Sequence, residues 1–319
     1  MMLLSIGKLR GLQRISTSSS TFTCLALDHR QNLRKSLNPA APSAVSDTQL
    51  SAFKIEVAKS LADTCSAVLL DPEVSAAQAV AAHAIPGKTG LVVAVEATGY
   101  SGGATARRSQ ILPGWSIEKA KRMGADAVKL LVYYHPESPT ADIIEAFIKQ
   151  VADLCRKYDL AIMLEPLCYS LEEGKRLSSS EKSKVVIETA RRLSPLGIDI
   201  LKTEFPLDIT DLDETKWAPT LERISTASVT PWILLSAAVD FKTYFRQVAA
   251  ACKAGASGIA VGRAVWQEAI GMAPEERALF LRSTARRRLA RLTTLCDSSA
   301  RPWTDFYTAE APFEWYKNY

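Results

Sequence analysis

Lys202 stands near the end of Gly197-Ile198-Asp199-Ile200-Leu201-Lys202-Thr203-Glu204-Phe205-Pro206, whose apolar, β-branched start reads as a buried strand. Burying an ammonium group there is costly. The cost favours the neutral amine, and a neutral amine is a nucleophile. Taken alone, Lys202 has a second reading, a side chain whose head reaches solvent past the strand end. Three other ionisable residues occupy comparable places: Lys129, Glu165 and Asp28. Residues two apart share a strand face, so Lys202 goes with Ile200, Lys129 with Ala127, Glu165 with Met163 and Asp28 with Ala26. If these faces point into one barrel, four charged groups converge. A salt-bridged network tying the strands together is the structural alternative, but barrel interiors are normally filled with branched apolar side chains.

Such a set suits imine chemistry. Lys202 would attack a ketone. Lys129 would lower its proton affinity, because two ammonium groups in one low-dielectric site repel. Glu165 could move protons during carbinolamine dehydration and carbon–carbon cleavage. Asp28 could orient or neutralise the lysines. Spacing does not decide which carboxylate takes the substrate hydroxyl proton. An iminium is itself an electron sink, so neither metal nor organic cofactor is expected. The chain has only His29, His83 and His135, without zinc-binding spacing.

Two further segments point to an anion. Leu235-Ser236-Ala237-Ala238 and Val261-Gly262-Arg263-Ala264 each close an apolar run. In many barrels the loops after strands seven and eight hold phosphate through backbone N–H groups and a helix N-terminus. Gly262 would let the backbone approach, Ser236 adds a hydroxyl, and Arg263 adds a forked cation.

The elements that must carry these groups are eight short apolar runs, at residues 22–27, 67–70, 91–95, 127–133, 161–164, 198–201, 232–235 and 258–261. Segments of helical periodicity follow most of them, for example 116–123, 140–157, 179–193 and 241–254. A polar residue closes or interrupts each run: Asp28, Asp71, Glu96, Lys129, Glu165, Lys202, Ser236 and Arg263. One βαβ unit takes roughly 30 residues, so eight units fit an α/β chain folded as a (β/α)8 TIM barrel, its site at the C-terminal strand ends. A doubly wound sheet is the competing architecture, but it wants a glycine-rich loop where this chain has Asp28-His29-Arg30-Gln31. Residues 1–14 read as a short N-terminal helix and residues 275–292 as a long basic helix with Arg286-Arg287-Arg288 on a solvated face. The aromatic C-terminal tail, 302–319, is expected to pack on the barrel or on a partner.

Composition bounds the remaining choices. The chain has 319 residues, 47% hydrophobic and 23% charged, with a net charge of +5. A single barrel domain over 1–319 is expected. Its basic residues are dispersed, so no nucleic-acid partner is expected, and no apolar stretch is long enough to span a membrane. The six cysteines include no C-x-x-C pair and read as reduced thiols of a cytoplasmic protein. The first residues lack the apolar centre of a secretory leader, and an organelle transit segment is the alternative reading.

Several segments, in order from Phe22 to Trp266, resemble the tagatose 1,6-bisphosphate aldolase family, which includes sulfofructose-phosphate aldolases. They are Ala26-Leu27-Asp28-His29-Arg30, Pro113-Gly114-Trp115-Ser116, Gly124-Ala125-Asp126-Ala127-Val128-Lys129-Leu130-Leu131-Val132-Tyr133-Tyr134, Leu164-Glu165-Pro166-Leu167, Asp199-Ile200-Leu201-Lys202-Thr203-Glu204-Phe205-Pro206, Leu235-Ser236-Ala237 and Gly262-Arg263-Ala264-Val265-Trp266. The resemblance implies a class I, Schiff-base aldolase, a metal-independent carbon–carbon lyase of carbohydrate metabolism. It would cleave a phosphorylated ketose, such as tagatose 1,6-bisphosphate or 6-deoxy-6-sulfofructose 1-phosphate, to dihydroxyacetone phosphate and an aldehyde. Lys202 takes the Schiff-base role and Glu165 the proton-transfer role, with Lys129 and Asp28 in support. Ser236, Ala237, Gly262, Arg263 and Arg30 are expected to bind the substrate and its phosphate. A homo-oligomer is also expected. At position 29 the tagatose enzymes carry glutamine, and the stretch around Ser101-Gly102-Gly103 differs from theirs. The group at the sugar's far end is therefore open: phosphate, sulfonate or neither. A non-catalytic sugar-phosphate sensor and a barrel isomerase or synthase without an imine are the readings of other classes.

Overall fold

The computed structural model describes residues 1–211, 213–237 and 239–319, with Asn318 by its backbone only. The eight apolar runs form eight strands: β1 (Phe22–Ala26), β2 (Ala67–Leu70), β3 (Gly90–Ala94), β4 (Ala127–Tyr134), β5 (Ala161–Cys168), β6 (Ile200–Thr203), β7 (Trp232–Leu235) and β8 (Gly258–Val261). All pair in parallel in chain order, and β8 closes on β1 through Gly258↔Phe22 to Val261↔Leu25, making a closed barrel. Parallel pairing needs long crossovers, and the helices between strands supply them. Several of these helices start on caps written into the sequence. Ser46 with Gln49, and Ser178 with Glu181, form reciprocal capping boxes, and Asp240 accepts from the first free N–H groups of Phe241–Lys253.

Alternation sorts the strand residues. Outward positions such as Leu25, Val68, Val93, Val128, Ile162, Leu201 and Leu234 meet the helices in one apolar cluster. Inward positions fill the barrel centre with Cys24, Ala26, Leu69, Val92, Ala127, Met163, Ile200, Ile233 and Ala260. Beyond this apolar layer, at the C-terminal strand ends, the inward positions turn polar. Closure depends on Gly258: its φ is +139°, and a Cβ there would lie 1.9 Å from the Phe22 carbonyl oxygen.

The other end of the barrel is plugged. The N-terminal helix spans Ile6–Ile15 and not 1–14, because Met2–Leu3 is a strand pairing in parallel with Tyr307–Thr308. Leu12 and Ile15 join the inner cluster beside Trp303 and Tyr307. Beneath β6, Lys8 donates to both Asp199 oxygens at 2.8 and 3.1 Å. Thus part of the aromatic tail packs under the barrel, whereas Phe313, Tyr316 and Tyr319 stay exposed. The basic helix is longer and less regular than its periodicity suggested. It runs through Pro274–Phe280, a π-turn at Leu281–Ala285 and Arg286–Ser299. Its arginines are not simply solvated: Arg286 pairs with Asp63, and Arg288 pairs with Glu268 at 2.7 Å over the Phe241 and Phe280 rings. No helix among the described residues is long and apolar enough to cross a membrane.

Candidate active site

A cavity of about 610 Å³ opens at the C-terminal strand ends. Lys202 enters it from β6, Glu165 from β5, Lys129 from β4 and Asp28 from the turn after β1. The four groups that alternation brought together on paper do meet. Lys202 Nζ lies 2.8 Å from Glu165 Oε2, and Lys129 Nζ lies 2.9 Å from that same oxygen. Lys129 also touches Asp28 Oδ2 at 2.7 Å. Both lysines are almost fully buried, at 1% and 3% exposure.

One member of the cluster was missed. Glu96 follows β3, and its Oε1 lies 2.8 Å from Lys129 Nζ. Its Oε2 accepts the Leu131 N–H at 3.0 Å. The two-residue alternation Val92, Ala94, Glu96 could have found it, since it carries the inward face of β3 one step past the strand end.

The charges set each other's protonation. Burial would lower the proton affinity of Lys129, but Asp28, Glu165 and Glu96 outweigh it and hold its pKa well above the ordinary lysine value. Burial would raise Asp28, but Lys129 and Lys202 outweigh it and hold its carboxyl well below the usual range. Glu165 is lowered in the same contest between burial and the two lysines. Glu96 goes the other way: burial wins over Lys129 and raises it. The arrangement is therefore a fixed cation at Lys129, ringed by three carboxylates, beside a second lysine that shares only one of them.

The expected anion end lies across the same cavity. The Gly262 N–H points to Ser236 Oγ at 3.5 Å, which brings the ends of β7 and β8 together. A Cβ at Gly262 would come within 2.9 Å of the Ala26 carbonyl oxygen and 3.0 Å of the His29 ring. Ala237 takes a left-handed backbone, φ +43°, at the rim. Arg263 opens the short helix Arg263–Trp266 and, among the described residues, pairs with no carboxylate. Burial lowers its pKa, against the pull of Asp28 and Glu165. It is a cation with bonding capacity to spare. Arg30 lines the cavity too, but its guanidinium is turned to Glu73 and to the Glu96 carbonyl, the latter at 3.0 Å.

His29 lies edge-on to Trp266, with ring centres 5.6 Å apart. Its burial, helped by Arg263, Lys202 and Lys54 against Asp28, brings its pKa down to about 4. The imidazole is thus neutral at ordinary pH. A hairpin, Ser101–Gly103 with Ala106–Arg108, stands past β3. Arg107 pins it, with its guanidinium carbon 4.5 Å from the Tyr100 and Tyr169 ring centres and 5.3 Å from Tyr133, a cavity-wall residue.

Known proteins share this framework. Tagatose 1,6-diphosphate aldolase 2 of Streptococcus mutans is 29% identical over 328 positions, covering 95% of this chain and 98% of that protein. A tagatose 1,6-diphosphate aldolase of Lactococcus lactis is 30% identical over 95% of this chain and 99% of its own length. Among solved structures, an archaeal fructose-1,6-bisphosphate aldolase with its catalytic lysine bound to the carbinolamine intermediate superposes with a TM-score of 0.61. It is 20% identical and covers 91% of this chain and 99% of its own. The fructose-bisphosphate aldolase of Slackia heliotrinireducens gives 0.63 at 16% identity, covering 92% and 90%. At those identities the likeness speaks for the fold. The DeoC/LacD family aldolase pattern itself matches residues 22–268, from β1 through the short helix Arg263–Trp266 after β8, and the chain therefore belongs to the DeoC/LacD family of aldolases.

Proposed function

We propose that this aldolase works by class I chemistry, with Lys202 as the Schiff-base lysine, on a ketose 1-phosphate of which tagatose 1,6-bisphosphate is the leading candidate. The observation that carries the reading is the contact between Lys202 Nζ and Glu165 Oε2, at 2.8 Å, inside a buried cluster at the barrel mouth. Attack requires the free amine, so Lys202 gives a proton to Glu165. The amine adds to the C2 carbonyl, and the protonated Glu165 returns a proton to the carbinolamine oxygen, which leaves as water. The iminium draws the electrons of the C3–C4 bond as a base takes the C4 hydroxyl proton, and the aldehyde departs. The enamine is protonated at C3, and hydrolysis of the imine frees dihydroxyacetone phosphate and restores Lys202. Lys129 stays charged throughout and disfavours a second ammonium beside it. Ser236, Ala237, Gly262 and Arg263 hold the phosphate next to the ketone, and Arg30 buttresses the wall from behind Glu96.

Borohydride added with dihydroxyacetone phosphate should inactivate the protein and leave its mass adduct on the peptide containing Lys202. An adduct on another lysine in the wild-type protein, or none, would sink this assignment. An adduct without any turnover across a panel of ketose 1-phosphates would favour a sensor.

A further inference from the structure

Two lysines reach one carboxylate oxygen. Lys202 Nζ and Lys129 Nζ lie 2.8 and 2.9 Å from Glu165 Oε2, so each is placed to meet a carbonyl bound beside that oxygen. Burial does not separate them, because both are nearly inaccessible. Their surroundings do. Lys129 touches carboxylates from three directions: Asp28 after β1, Glu96 after β3 and Glu165 on β5. Lys202 touches Glu165 alone among the described residues. An amine adds to a carbonyl only after it has lost its proton, and each carboxylate around an ammonium group makes that loss harder.

Of the three carboxylates, Glu165 pairs with both lysines, whereas Asp28 and Glu96 pair with Lys129 and not with Lys202. Asp28 lies on the turn after β1, and Glu96 is the one of the two that sits next to Lys129's own strand. Glu96 is held from behind. Its second oxygen accepts the Leu131 N–H at 3.0 Å, its carbonyl accepts Arg30 Nη2 at 3.0 Å, and its backbone bridges to Ile111. Such anchoring holds the Glu96 carboxyl against the Lys129 head, on the side away from β6. The other charged groups on that side are Arg30, which lies 3.5 Å from Glu96 Oε1 and pairs with Glu73, and the buried Lys54–Asp71 pair at the end of β2.

We infer that Glu96 is a positioning residue that reserves the nucleophile's role for Lys202, by keeping Lys129 a cation. It acts through Lys129 and need not touch the substrate. The inference rests on the imine reading above. It adds a division of labour: one lysine forms the covalent bond, and the other is barred from doing so.

The test is Glu96→Gln in the full chain, which keeps the shape and an acceptor for Leu131 but removes the charge. With dihydroxyacetone phosphate and borohydride, wild type should carry its adduct on Lys202 alone. In Glu96→Gln a measurable share should move to Lys129. The basic limb of kcat against pH should also move to lower pH, as Lys129 loses its proton more readily. A purely structural role would change neither the labelled lysine nor the limb. If the variant keeps every adduct on Lys202 and its pH profile overlays wild type, the inference is wrong while the imine reading stands. If wild type itself fails to label at Lys202, the imine reading falls. Should Glu96→Gln not fold, wild type answers with pyridoxal phosphate and borohydride across a pH series. Lys202 should carry nearly all of the label across the series, and equal labelling of the two would overturn the proposal.

Discussion

Replacing Lys129 with methionine should turn the most heavily neutralised part of the cavity into its least tolerable one. Methionine nearly preserves the length and apolar packing of the stem, so the change is chiefly one of charge. Three contacts vanish together, at 2.7 Å to Asp28, 2.8 Å to Glu96 and 2.9 Å to Glu165. Removing one partner of a buried ion pair costs roughly 3–5 kcal/mol, because the remaining charge is left uncompensated. At about 2 °C of Tm per kcal/mol for a chain of this size, the loss is roughly 6–10 °C near pH 8. The pH dependence carries the stronger test. In wild type, Asp28 and Glu165 sit below the usual carboxylate range. They contribute stability above the unfolded pKa of about 4, and it is lost as pH falls through their folded values. Without Lys129, burial dominates and raises these carboxyls, as it already raises Glu96. A raised folded pKa reverses the sign: stability is full below the unfolded value and is lost as pH rises through the folded one. The variant's deficit should therefore be largest near pH 8 and shrink toward pH 5. Differential scanning calorimetry of both proteins across that range measures it. A Tm deficit under about 2 °C at pH 8, or one equal at pH 5 and pH 8, would refute the electrostatic account of the cluster.

Arg263→Ala should lower kcat/KM for a ketose 1-phosphate by about ten- to a hundredfold, since charge-assisted bonds are worth roughly 1.5–3 kcal/mol each. The loss should be much smaller for the matching ketose without that phosphate, and equal losses would mean that Arg263 serves the fold. Gly258→Ala should cost on the order of 4 kcal/mol or more, because the added carbon would lie 1.9 Å from the Phe22 carbonyl oxygen across the β8–β1 seam. A soluble variant melting within a few degrees of wild type would show that the seam can open there. Prolonged chelation with EDTA should leave turnover unchanged, and a loss restored by zinc would overturn the imine mechanism.

The strands were legible because each is a short apolar run closed or interrupted by a polar residue. β2, β7 and β8 fall on the expected residues, and the others shift by a few positions. β5 runs on through Pro166 to Cys168, since β4 continues beside it and Leu167↔Tyr133 and Cys168↔Tyr134 remain paired. Proline reads as a breaker in sequence, but pairing on the β4 side carries the strand through it. β6 starts two residues late, at Ile200, where its pairing with β5 begins at Met163↔Ile200, and just before it the Asp199 carboxylate binds Lys8 and the Ile162 N–H. Glu96 was visible as the residue that closes the third run, but lying beyond the last β3 residue it was given no place among the charged groups facing the cavity. The plug was hidden for another reason. Nothing local in Lys8 says that a lysine of an exposed-looking helix will be buried against a carboxylate 191 residues away. Alternation within strands is readable from the sequence, but a contact made only after the barrel closes is not.

The plug also bears on how the chain is made. Met2–Leu3 finds its strand partner only at Tyr307–Thr308, and the Gly7 N–H meets the Tyr319 hydroxyl at 2.8 Å. On the ribosome these residues emerge some three hundred residues before their partners. The helix Ile6–Ile15 finds part of its seat early, against Ser66, Gly90 and Asp126, but Lys8 must wait for Asp199, and the N-terminal end of the chain for its tail partners. Nascent chains interrupted before Trp303 and Tyr307 would lack two of the apolar side chains that close the barrel floor beside Leu12 and Ile15. They would be natural clients for chaperones and proteases that act on exposed apolar surface.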